Sequence, residues 1–146
     1  MKALVVYDST YGNTEKIAQA IGNAIDAQVL RVGQVNLSDL EGFDVLIVGS
    51  PTHGGRPTPE LQALLGVLGP ALKGVGVAAF DTRHVSKWTI LFGYAAARIA
   101  RSLKRNGGTL LVPPEGFFVL GTQGPLKEGE LERAADWARE VAKSKK

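Results

Sequence analysis

Ala3-Leu4-Val5-Val6-Tyr7-Asp8-Ser9-Thr10-Tyr11-Gly12-Asn13-Thr14 turns, within twelve residues, from an apolar run into a cluster of hydroxyls, an amide and a glycine. An unbroken apolar run predicts a strand buried on both faces, because a half-exposed strand would alternate. Directly behind it, residues 13–27 set Ile17, Ile21, Ala24 and Ile25 along one side of a helix that can pack on a sheet. A buried strand, a tight polar turn and an amphipathic helix make the first half of a right-handed βαβ unit.

The rest of the chain repeats the alternation. Residues 28–32 alternate like an edge strand, and 33–42 are too polar for more than a turn of helix. Val45-Leu46-Ile47-Val48 reads as a second buried strand. Pro59 suits the first turn of a helix carrying Leu61, Leu64, Leu65 and Leu68, and Gly69-Pro70 stops it. A strand over 75–80 leads into a loop from Asp81 to about Thr89. Phe92, Ala96, Ile99 and Leu103 then mark a helix ending at Asn106-Gly107-Gly108. Strand character returns over 109–112, is broken by Pro113-Pro114 and resumes over 116–120. Leu131, Ala134, Ala135, Ala138 and Val141 line a closing helix. This order predicts one α/β domain over 1–146, a three-layer sandwich whose five-stranded parallel sheet has the order 2-1-3-4-5. Ligands of such sheets sit beyond the carboxyl ends of the strands, where the order reverses. The loops that begin at Asp8, Gly49 and Asp81 are therefore the ones to inspect.

Composition narrows the chemistry. The chain has 146 residues, 45% of them hydrophobic and 21% charged, and no apolar run near the roughly 20 residues of a membrane span. The apolar run after Met1-Lys2 is too short for a signal-peptide core and no small-residue cleavage site follows it, so a cytoplasmic location without membrane contact is expected. There is no cysteine, hence no disulfide, thiolate nucleophile or iron–sulfur ligation, and two lone histidines make a poor zinc site. Redox chemistry would need a bound cofactor. The net charge of +3 looks thinly spread, densest at Lys143, Lys145 and Lys146, and that tail reads as a solvated helix end rather than a nucleic-acid contact.

Ser9, Thr10, Tyr11, Gly12, Asn13 and Thr14 lie between a buried strand and a helix N-terminus. Side-chain hydroxyls, an amide and backbone N–H groups can there surround a phosphate while the helix dipole favours its charge. No Gly-Lys-Ser/Thr follows, and a single glycine cannot make the dinucleotide fingerprint, so a phosphomonoester fits better than a nucleoside triphosphate or a pyrophosphate. The plainer alternative is a capped helix start.

This hexapeptide resembles the phosphate loop of flavodoxins, and Gly49-Ser50-Pro51-Thr52-His53-Gly54-Gly55 resembles their second flavin loop. Element order and the segment 124–131 extend the likeness over nearly the whole chain. The resemblance implies a flavodoxin-like fold, a non-covalently bound FMN and one-electron transfer to redox partner proteins, as a monomer or weak homodimer. Residues 9–14 would hold the FMN phosphate; Pro51, Thr52, His53, Gly54, Gly55 and Arg56 would border the isoalloxazine ring, and Asp81 to Trp88 would close its other side. A peptide between Gly54 and Gly55 that turns its carbonyl toward the half-reduced ring would suit a carrier, although two glycines among Pro51, Pro57 and Pro59 also simply make a tight turn. Arg56 near the ring would favour its reduction by Coulomb attraction, or is a solvated loop residue.

The third loop departs from the family. Asp81-Thr82-Arg83-His84-Val85-Ser86-Lys87-Trp88 lacks the usual acidic, tyrosine-bearing stretch. Trp88 could stack on the ring or pack in the core; His84 and His53 could cover it or be hydrogen-bonded loop residues. Arg83 and Lys87 would give a basic rim suited to an acidic partner. The competing function is an FMN-dependent reductase taking hydride from NAD(P)H to a quinone or flavin; the absence of an added domain or nicotinamide motif favours the carrier. A receiver domain would need an aspartate where Gly49-Ser50 stand. A Ser50-His53-Asp81 triad would lack its nucleophile elbow.

Overall fold

The computed structural model describes residues 1–84 and 94–145. β1 (Ala3–Tyr7) is buried along its length and lies parallel between β2 (Gln28–Arg31) and β3 (Val45–Pro51). β4 (Gly76–Arg83) pairs with the whole of β3, and its other edge takes up two short segments in turn. β5 (Thr109–Leu110) pairs with Gly76 and Val77, and β6 (Glu115–Phe118) with Phe80 through Arg83. The expected order 2-1-3-4-5 is observed, with the fifth position divided where Pro113-Pro114 offer no N–H to the ladder.

Alternate strand residues feed two cores. Val5, Ile47 and Phe80 face α1 (Asn13–Ile25) and α4 (Glu130–Ser144), whereas Leu4, Val6, Leu46, Val48 and Val77 face α2 (Pro59–Gly66) and α3 (Ala95–Arg105). Each fully buried aliphatic side chain contributes about 1.5–3 kcal/mol over exposure, so the strands bind both helical layers strongly. Phe80, Phe117 and Trp137 pack edge to face with centroids 6.0–6.1 Å apart. A Cβ on Gly49 would stand 2.0 Å from Phe80 Cζ, so β3 passes this trio only as glycine. No helix among the described residues is long and apolar enough to cross a membrane.

The differences from expectation have local causes. α2 ends at Gly66, ahead of Leu68, because the next turn tightens into a 3-10 segment at Gly69–Leu72. Phe92, expected to open the next helix, lies outside the described residues. The buried stripe of α4 is Ala134, Trp137, Ala138 and Val141, while Leu131 is 43% exposed. The bulk of Trp137 turns the helix so that positions i, i+3, i+4 and i+7 from Ala134 face inward. Most important for function, β4 does not stop at Phe80 but carries Asp81, Thr82 and Arg83 into the sheet.

Glu130 fastens α4 to the sheet. Its carboxylate accepts the Phe118 amide at 2.7 Å and the Arg133 Nε and Nη2 protons at 2.9 and 2.7 Å. The Arg133 hydrogen bonds, more than the opposing burial, hold it below the usual glutamate value. A depressed folded-state pKa gives stability that is present above the unfolded-state value and lost as pH falls through the folded one. Between about pH 5 and about pH 3 the wild type should therefore lose more stability than Glu130→Gln in urea unfolding. Parallel losses would show that this carboxylate is not held ionised.

Candidate cofactor-binding site

A cleft of about 280 Å³ opens at the carboxyl ends of β1, β3 and β4. Thr10, Tyr11, Asn13 and Thr14 form one end, Pro51, Thr52 and His53 one wall, and Thr82, Arg83 and His84 the other; Val119 and Thr122 close it. It lies where the strand order reverses, as the topology requires.

The phosphate end is built on Gly12. Its φ of +91°, in the left-handed region, turns the chain into α1, and its N–H donates to Ser9 Oγ at 3.0 Å. Its N-cap, Gly12, has no side chain to cap α1, and among the described residues no side chain takes the amides of the first turn, which are left for a ligand at the positive end of the helix dipole. A Cβ at position 12 would meet nothing within 4 Å, and Thr10 and Tyr11 are exposed. Uncapped amides, an accessible hydroxyl and open space fit a phosphate group. The hydroxyls divide their duties. Ser9 is buried and shapes the turn, and Thr14 is buried with its Oγ1 2.7 Å from Thr82 Oγ1, joining the first loop to β4. Asn13 Nδ2 donates to Gln123 O at 3.2 Å and so holds the last loop against the site.

Asp8 ties two loops together. It accepts the Ser9 amide at 2.9 Å and the hydroxyl proton of Thr58, the N-cap of α2, at 2.5 Å. Arg31 adds an ion pair to Asp8 at 3.4 Å and donates to the Ser9 carbonyl, which brings a guanidinium behind the first loop. Neither Thr58 nor Arg31 was expected from sequence. Arg31 is placed by the register of β2, which sets it beside Tyr7, and Thr58 by its position before Pro59, a helix-start signal that could have revealed it.

The second loop is a two-residue hairpin. His53 and Arg56 exchange N–H···O bonds of 2.8 and 3.0 Å, and Gly54 and Gly55 stand at φ +57° and +80°, as a type I′ turn demands. His53 faces the cleft, with Nε2 3.4 Å from Thr10 Oγ1, but Arg56 is on the reverse side and lines a different depression. Thr52 is held from both sides, by its N–H to Thr82 O at 3.0 Å and by the Ala95 amide donating to its Oγ1 at 3.1 Å.

The third wall differs most from expectation. Asp81 is sealed inside and does not line the cleft: it accepts both Nε and Nη2 of Arg83 at 2.7 Å and the Ala96 amide at 2.9 Å. Burial pushes its carboxyl up, while the Arg83 bonds and charge pull it down. The Arg83 guanidinium, stacked 3.4 Å from the Tyr94 ring centre, is thus committed internally and does not supply the basic rim read from sequence. Gly116 permits this, since a Cβ there would stand 2.2 Å from the guanidinium carbon. Lys87 and Trp88 lie outside the described residues. Val119 and Thr122, in the loop after β6, were not anticipated; the antiparallel bridge from Val119 to Leu126 and the Asn13 bond to Gln123 fold that loop over the cleft, the second a contact between residues distant in sequence.

Comparison with known proteins matches this architecture. A family model described as Flavodoxin covers residues 5–137. The flavodoxin of Maridesulfovibrio salexigens is 39% identical over 121 residues, 75% of this chain and 81% of that protein. The NAD(P)H dehydrogenase (quinone) of Azorhizobium caulinodans is 32% identical over 124 residues, 62% of each protein, so the chain spans less than two thirds of that relative's length. The structure of a flavodoxin from the domain Archaea superposes over 100% of both chains, with a TM-score of 0.82 and 28% identity. The chain belongs to the flavodoxin family and is an FMN-binding flavoprotein.

Proposed function

We propose that the chain is a one-electron carrier of the flavodoxin type, whose first loop holds the FMN phosphate and whose cleft walls hold the ring. When bound, FMN supplies a redox centre that takes up electrons singly or in pairs. The chain's own part is positioning. The amides of the first turn of α1 and the Thr10 hydroxyl bind the phosphate, Pro51, Thr52 and His53 border the ring, and Val119 limits water on the far side.

The observation that carries this reading is the 53–56 turn. Its outer residues are pinned by two reciprocal hydrogen bonds, while the peptide between Gly54 and Gly55 bears no side chain and a Cβ at Gly54 would meet nothing within 4 Å. A peptide flanked by two glycines has access to backbone conformations closed to other residues, so it can offer either its N–H or its carbonyl to the ring edge as protonation there changes. That device distinguishes one-electron states. The NAD(P)H dehydrogenase (quinone) of Gluconacetobacter diazotrophicus is matched over 80% of its length and the flavodoxin relative over 81%, so the share covered favours neither reading. The similarity to that dehydrogenase supports the second reading, a reductase that admits NAD(P)H and a quinone above the ring.

Anaerobic dithionite titration of the FMN-loaded protein separates the two. A carrier gives a one-electron-reduced spectrum that accumulates before full bleaching, with NADPH oxidised no faster than in buffer. Direct two-electron bleaching together with rapid NADPH oxidation would replace the carrier with the reductase.

A further inference from the structure

The chain has eight arginines. Arg31, Arg83, Arg133 and Arg139 each reach a carboxylate. The other four, Arg56, Arg98, Arg101 and Arg105, all line one cleft of about 280 Å³ between α2 and α3, and among the described residues no carboxylate comes within 4.0 Å of any of them. Three of the four stand at i, i+3 and i+7 on α3, where like charges repel along one helix face. Arg56 reaches the same hollow from the 53–56 turn. Folding alone gives no reason to gather every unpaired guanidinium into one concavity, since each would be better solvated apart.

We propose that this cleft is a second anion site, distinct from the cofactor cleft, and that it takes a compact polyanion bearing a pyrophosphate group. Guanidinium forks match phosphate oxygens two at a time, and Gln62 and Ser102 add neutral donors on the lining. The concave shape favours a small polyphosphate over the acidic face of a protein, which would spread its contacts across a flatter patch. The assignment stands apart from whether the flavin works as carrier or reductase, because none of the four arginines lines the cofactor cleft.

The test is isothermal titration of inorganic pyrophosphate into FMN-loaded protein at fixed ionic strength, with the flavin absorbance followed in parallel. Saturable 1:1 binding is expected, weakened about tenfold or more in the double variant Arg101→Gln/Arg105→Gln by loss of charge-assisted hydrogen bonds. A control that also removes two charges, Lys143→Gln/Lys145→Gln, should bind as the wild type does. ADP and oxidised NADP in place of pyrophosphate identify the source: equal affinities mean that the pyrophosphate group alone is read, and tighter NADP binding means a dinucleotide. The proposal is overturned if pyrophosphate does not saturate, if the lysine control weakens binding as much as the arginine variant, or if FMN is released during the titration. Arginine-dependent binding of polyglutamate without binding of pyrophosphate would overturn it in favour of a protein-docking surface.

Discussion

Arg83→Met is expected to destabilise the folded chain by about 3–5 kcal/mol, because it strips the partner from a carboxylate that has no exposure to water. Methionine keeps most of the volume of the arginine stem, so the loss is chiefly electrostatic. Burial already holds the Asp81 carboxyl above its ordinary value, and without the guanidinium it rises further. A carboxyl whose folded-state pKa is raised contributes favourably below the unfolded-state value and loses that contribution as pH rises through the folded one. Urea unfolding should therefore show the deficit of the variant largest at neutral pH and shrinking toward acid. A deficit independent of pH would mean that Asp81 carries no charge in the fold.

Phe80→Ala should cost a comparable amount, about 3–5 kcal/mol, as a cavity opens between Phe117, Trp137 and the inner face of α1. The ring also occupies the space left by Gly49, so neighbouring backbone cannot easily close the hole. Denaturant midpoints of the apoprotein and the FMN-loaded protein should both fall. A loss below about 1 kcal/mol would show that the site collapses freely and that the trio is not a fixed support for β3 and β4.

Much of this fold is legible in local sequence because both signals involved are local. Ala3 to Tyr7 reads as a buried strand, and the glycine and hydroxyl cluster behind it as a turn into a helix. The first loop follows from that, the tight turn at Gly54-Gly55 from its paired glycines, and the strand order from the alternation of strands and helices. What escaped depends on contacts between distant residues. Asp81 looks like a loop acid until pairing with β6 extends β4 beneath it, and Arg83 looks like a rim charge until Gly116 makes room for its guanidinium against Asp81. Arg31 reaches the first loop only through the register of β2. The positive charge, thinly spread along the chain, is concentrated in space because Arg56 comes to lie beside α3 across more than forty residues. Leu131 and Trp137 exchange places because helical periodicity fixes a stripe only to within a step, and the larger ring decides.

Recognition of the cofactor phosphate by the amides and hydroxyls around Gly12 is what the proposed carrier function depends on most. Thr10 is exposed and its hydroxyl makes only a long contact to His53, so Thr10→Ala tests this without touching the core. Affinities of the apoprotein for FMN and for riboflavin, measured by flavin fluorescence quenching, should respond differently: FMN binding weakened about tenfold, riboflavin binding unchanged. Riboflavin held as tightly as FMN by the wild type, or both flavins weakened alike by the substitution, would contradict a phosphate site at this turn.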